Sequence, residues 1–111
     1  MKVCFEDIGH ISATFAAESG ESGKVCKVCG NGAVALCADG EAFCGVMESV
    51  RKGFAGVQLH GFVTLPYTGT APALGYQALV ADANGGIKTG GTKEYLVVCV
   101  DENTMHAVIE L

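Results

Sequence analysis

From Ile11 to Leu111 apolar and polar residues alternate with a period of two, and glycine, asparagine or aspartate breaks that alternation about every ten residues. Period two is the spacing at which successive side chains point to opposite faces of a strand, so the pattern predicts short strands joined by tight turns. Ile11, Ala13, Phe15 and Ala17 fall on one face, with Ser12, Thr14, Ala16 and Glu18 opposite. After a loop at 18–23, segments 24–29 and 33–38 flank Gly30-Asn31-Gly32, where Asn and Gly accept the positive φ of a hairpin turn. Asp39-Gly40 marks a further turn. Segments 43–50 and 54–65 flank Arg51-Lys52-Gly53, and in the second of them Ala55, Val57, Leu59, Val63 and Leu65 share a face. A strand is expected at 76–81, turned by residues 82–86, and a last hairpin joins 94–100 to 104–111 across 101–103.

The expected fold is all-β: a compact small barrel or sandwich of about eight to ten short, mostly antiparallel strands joined by Gly/Asn/Asp turns. Sixteen glycines, eight aromatics and no tryptophan in 111 residues fit a small-residue core with many turns. That length corresponds to a single domain, 1–111. Residues 1–10, where the alternation is weaker, read either as an N-terminal arm or as an ordinary first strand.

Pro66 lacks an N–H and cannot continue a central ladder, so it is expected to end the strand at 54–65. The following Thr68-Gly69-Thr70-Ala71-Pro72 reads as a surface corner with Tyr67 at its tip. The glycine-rich run from Asn84 to Gly91 lacks the spacing of a phosphate loop and precedes a strand instead of a helix; a hairpin loop is the reading.

A net charge of −5, with basic residues scattered along the chain, argues against a nucleic-acid partner, which needs a basic stripe to displace counterions. No basic amphipathic segment points to a membrane surface, and no run approaches the roughly 20 apolar residues of a span. The first ten residues carry acids and lack a signal-peptide core, so the chain is expected to be soluble and made in the cytoplasm.

Six cysteines then read as free thiols packed like small hydrophobes. The sharpest local motif is Cys26-Lys27-Val28-Cys29-Gly30, which with Cys37 and Cys44 gives an alternative reading as a Cys₄ zinc module. Against it, the second pair is widely spaced, and an extended 24–29 would point Cys26 and Cys29 to opposite faces. His10, His60 and His106 stand far apart, and no nucleophile motif accompanies them. The acids, including Glu41, Asp82 and Asp101, fall in turns and read as solvated. A surface glycan-binding β domain is a further alternative, though such domains present exposed aromatics and this chain has few. No cofactor is called for.

Nearly the whole chain, most firmly 32–100, resembles a family of small capsid decoration proteins encoded beside the major capsid gene in tailed phages and prophages. The residues that carry the resemblance are Phe15-Ala-Ala17, Gly32-Ala-Val-Ala-Leu36, Ala38-Asp-Gly40, Gly45-Val46, the run from Gly56 to Gly69, Leu79-Val-Ala-Asp82 and Tyr95-Leu-Val-Val98. It implies a non-enzymatic virion structural (cement) protein, made in the host cytoplasm and bound to the outer surface of the phage head. The implied partner is the major capsid protein, and the implied assembly a homo-oligomer, a trimer by preference. Phe5, Ile8 and His10 on the N-terminal segment, and Tyr67, Thr68 and Thr70 on the proline corner, are the expected contact residues.

Overall fold

A computed structural model of the protein describes residues 9–111. Strands β1 (Ile11–Ala16), β2 (Val25–Gly30), β3 (Ala33–Leu36), β4 (Gly45–Arg51) and β5 (Phe54–His60) close into a barrel in the order β1-β3-β2-β4-β5. Strands β6 (Phe62–Pro66), β7 (Gly75–Ala81), β8 (Ile87–Asp101) and β9 (His106–Glu110) form a second, antiparallel sheet in the order β6-β9-β8-β7. The fold is all-β, and no helix occurs among the described residues. Within the two sheets, every strand pairing is antiparallel except β1–β3, a parallel contact at Ala16 and Ala33.

The hairpins fall where alternation and turn chemistry put them: β2–β3 around Asn31-Gly32, β4–β5 around Lys52-Gly53, and β8–β9 across the turn after Asp101. Two expectations are corrected. The strand expected over 54–65 is two strands, divided at Gly61. There φ is +103°, and a Cβ would sit 3.0 Å from His10 Cα, so the backbone turns in a way open to glycine alone and passes from the barrel to the second sheet. Ala55, Val57, Val63 and Leu65 keep one parity across the break, which is why the sequence reads as continuous.

The second correction concerns the glycine-rich run. It is not a hairpin loop, because from Ile87 onward it belongs to β8. Leu79 pairs with Thr89 while Ala78 pairs with Glu94, so Gly90, Gly91, Thr92 and Lys93 are looped out of the β7–β8 register as a four-residue bulge. Gly91 (φ +76°) lies against the Val80 side chain, where a Cβ has no room. The bulge thus curls over Val80 and leaves it buried on the outer side of the sheet.

The core has two parts. Ala17, Cys26, Val34, Met47, Ala55 and Val57 fill the barrel. A larger cluster lies between barrel and sheet, where Val25, Phe43 and Val46 meet Leu65, Leu79, Ile87, Tyr95, Val97 and Ile109. Burying side chains of this size stabilises by about 1.5–3 kcal/mol each, so the second cluster is what holds the two sheets face to face. Backbone bonds stitch the same junction: Val25 N–H donates to Gly85 C=O (3.0 Å), Gly40 N–H to Ala81 C=O (2.8 Å), and Ala81 N–H to Glu41 C=O (2.8 Å).

Candidate functional site

Phe5 and Ile8 lie outside the described residues. His10 is exposed just before β1, and its Nε2 stands 2.8 Å from Ser12 Oγ and 2.9 Å from Glu48 Oε2. Ser12 in turn hydrogen-bonds Glu48, so one polar cluster joins the start of β1 to β4 across the barrel surface.

The proline corner behaves differently from its expected form. Tyr67 is not at an exposed tip: it is 4% exposed, packs in the larger core cluster, pairs with Ile87 and donates its N–H to Met105 C=O at 3.0 Å. The alternation that puts Leu65 inward puts Tyr67 inward too, two residues on. Thr68 is half-buried; its Oγ1 donates to Asp82 Oδ2 (3.2 Å) and its N–H to Ile87 C=O (3.0 Å). Asp82 is itself buried and not a solvated turn acid, for its Oδ1 accepts the N–H groups of Asn84 (2.8 Å) and Gly86 (2.9 Å). Of the three corner residues only Thr70 is open to solvent.

Leu74 and Tyr76, which the sequence did not single out, are each 70% exposed, the highest value among the large exposed hydrophobics. They flank Gly75 where the corner runs into β7, an edge strand of its sheet. Tyr76 pairs with Leu96, and Leu96 with Glu110, so its ring stands in a row across the outer face. The parity of β7 carried the signal: Leu79 and Ala81 face the core, which leaves Tyr76 outside. Leu74 and Tyr76 therefore make an accessible apolar patch at the start of β7, and Thr70 is exposed in the connection that leads to it. An edge strand there also offers unpaired backbone groups to a partner.

The four cysteines of the zinc reading do not come together. Cys29 is exposed and lines a cleft with Ala16, Ala17, Glu18, Ser19 and Val34, whereas Cys44 opens into a different cleft beside Lys27, Glu41 and Phe43. Among the described residues no three His, Cys, Asp or Glu side chains are gathered as a metal site. Only Cys26, Cys37 and Cys44 are mutual neighbours. Cys26 is fully buried, and its thiol is pushed well up by its contact with Cys44 and by burial. Burial likewise pushes the Cys37 thiol up to about 11. Cys44 moves the other way: its contact with the Cys26 thiol, nearby backbone N–H groups and the charge of the Lys93 ammonium favour its thiolate, against burial.

Lys93 reaches that position from the β8 bulge and rests 5.2 Å from the centre of the Tyr95 ring. Tyr95 is stacked on Phe43, with ring centres 4.7 Å apart at 9°, and its hydroxyl donates to Phe43 C=O at 3.0 Å. Lys27 Nζ pairs with both Glu41 oxygens (2.8 and 2.6 Å), and Glu41 Oε1 also accepts the Ala38 N–H.

Compared with models of known protein families and with curated protein sequences, the chain matches none.

Proposed function

We propose that the protein is a capsid decoration protein: a non-enzymatic cement block that binds the major capsid protein on the outside of a tailed-phage head and stabilises the shell. The observation that carries this reading is the exposed Leu74–Tyr76 patch on an edge strand, set on a block cross-braced by its own core. Large apolar side chains held out from a rigid sheet suit docking to another protein. The resemblance of residues 32–100 to decoration proteins supplies the class of partner, and in the proposal Thr70, on the connection into β7, belongs to the contact. A homo-oligomer, a trimer by preference, lets each patch contribute modestly while several patches together hold the block on a symmetric lattice. The protein is then made in the host cytoplasm and resides on the virion surface.

The test is direct. Purified protein is added to cognate heads stripped of it, and the heads are heated or transferred to low salt. Saturable binding with a raised disruption temperature is the expected result. Heads that neither retain the protein nor gain stability overturn the reading.

A further inference from the structure

Cys44 and Cys26 sit on neighbouring antiparallel segments. Cys26 of β2 stands opposite Gly45, the residue after Cys44, and Cys44 N–H donates to Cys26 C=O at 2.8 Å. Cys44 also packs, half-buried, against the barrel cluster that contains Cys26, so the two side chains lie on the same side of adjoining segments. The Cys26 thiol donates to the Gly45 carbonyl at 3.7 Å, with Cys44 in contact beside it. The two thiols differ in access. Cys26 is sealed in the barrel core, while Cys44 lines an open cleft of about 490 Å³ with Lys27, Val28, Glu41, Ala42 and Phe43.

We propose that this pair is a thiol-exchange site, in which Cys44 takes a small-molecule disulfide from the cleft and Cys26 resolves it into an internal disulfide joining β2 to the segment leading into β4. In the first step the Cys44 thiolate attacks one sulfur of R–S–S–R. A new S–S bond forms, the old one breaks, and RS⁻ departs. In the second step Cys26 passes its proton to the departing thiolate and its sulfur attacks Cys44 Sγ, expelling the second RS group as RSH. Two protein thiols are oxidised, and one small disulfide is reduced to two thiols.

The surroundings favour this division of labour. The attacking group must be a thiolate with access to solvent. Cys44 is drawn toward its thiolate by its contact with Cys26, by backbone N–H groups and by the charge of Lys93. The other groups around it are Cys37, whose thiol is pushed up, the Tyr95 phenol, also pushed up, and the Lys27–Glu41 ion pair at the rim. Cys26 stays protonated and protected until a mixed disulfide forms within its reach. Glu41, which lines the same cleft, is paired with Lys27 at 2.6 Å.

The probe is hydroxyethyl disulfide, small and uncharged. The reduced full-length protein is exposed to it at neutral pH, free thiols are blocked, and the non-reduced chain is mapped after cleavage following Lys24, Lys27 and Glu41, which separates Cys44 from Cys29 and Cys37. The expected product links the Cys26 and Cys44 peptides, with Cys44 consumed at least ~10-fold faster than Cys37. In Cys26→Ser the reaction is expected to stop at a mixed disulfide on Cys44. In Cys44→Ser, Cys26 is expected to stay unmodified. Cys26 and Cys44 both remaining free while Cys29 is modified overturns the proposal, as does Cys26 reacting equally fast in Cys44→Ser. The map of the unsubstituted protein decides the matter even if a variant fails to fold.

Discussion

Asp82 and Glu41 are both turn acids in the sequence, yet each is tied into the structure. Asp82 is 2% exposed, and two backbone N–H groups and the Thr68 hydroxyl converge on it. Asp82→Ala leaves the Asn84 and Gly86 amides without their acceptor and is expected to cost about 2–3 kcal/mol, read as a lower midpoint in urea unfolding. Asp82→Asn keeps a carbonyl acceptor and is expected to lose less. Glu41 is half-exposed, and its carboxyl is held below the usual carboxylate range by Lys27 and by the Ala38 N–H. A carboxylate depressed in the folded state adds stability above its unfolded pKa, and that stability is lost as pH falls through the folded value. Glu41→Gln should therefore melt lower than the native protein at neutral pH. The gap should close in acid, as thermal melts across that range will show.

At the scale of elements, period two was legible because a half-buried strand imposes it on its own residues, one side chain at a time. Turn glycines were legible for the same local reason. What escaped the sequence were the two places where backbone direction changes without a change of parity. Gly61 bends the chain between β5 and β6 while Ala55, Val57, Val63 and Leu65 go on facing inward, so the alternation carries no mark of the bend. The β8 bulge is set by what lies across from it, Ala78 and Leu79, and no window around Gly90 contains them. Gly61→Ala tests the first. With φ at +103° and His10 Cα 3.0 Å from the new Cβ, the substitution is expected to cost about 1–3 kcal/mol, measured by chemical denaturation. Gly9→Ala is a useful contrast: its φ is also positive, but nothing lies within 4 Å of the added methyl.

For the whole molecule, the exposed apolar side chains lie close in sequence to the corner that the sequence singled out, but they are other residues. The corner after Pro66 does lead to an accessible patch, but Tyr67 is used to anchor it, and Leu74 and Tyr76 are what it presents. Anchoring and presenting side chains have the same composition, and only the three-dimensional parity of β7 separates them. If the protein is the proposed decoration protein, Tyr76→Glu is expected to reduce retention on cognate heads by at least ~10-fold, because a charge placed in an apolar contact must be desolvated. Its melting temperature should stay within a degree or two of native, as for other surface substitutions. Loss of retention with unchanged folding identifies a docking residue; unchanged retention removes Tyr76 from the contact. Closing the proposed Cys26–Cys44 bond acts elsewhere, on the barrel, where a loop of that length stabilises by about 3 kcal/mol in the chain-entropy account. The bend at Gly61 also fixes an order in time. Every barrel strand precedes it in the chain and every strand of the second sheet follows it, so a ribosome delivers the complete barrel before any of the sheet exists. Until the later strands emerge, Val25, Phe43 and Val46 have no sheet to pack on, and the half-made chain is the form most exposed to sticking to its neighbours.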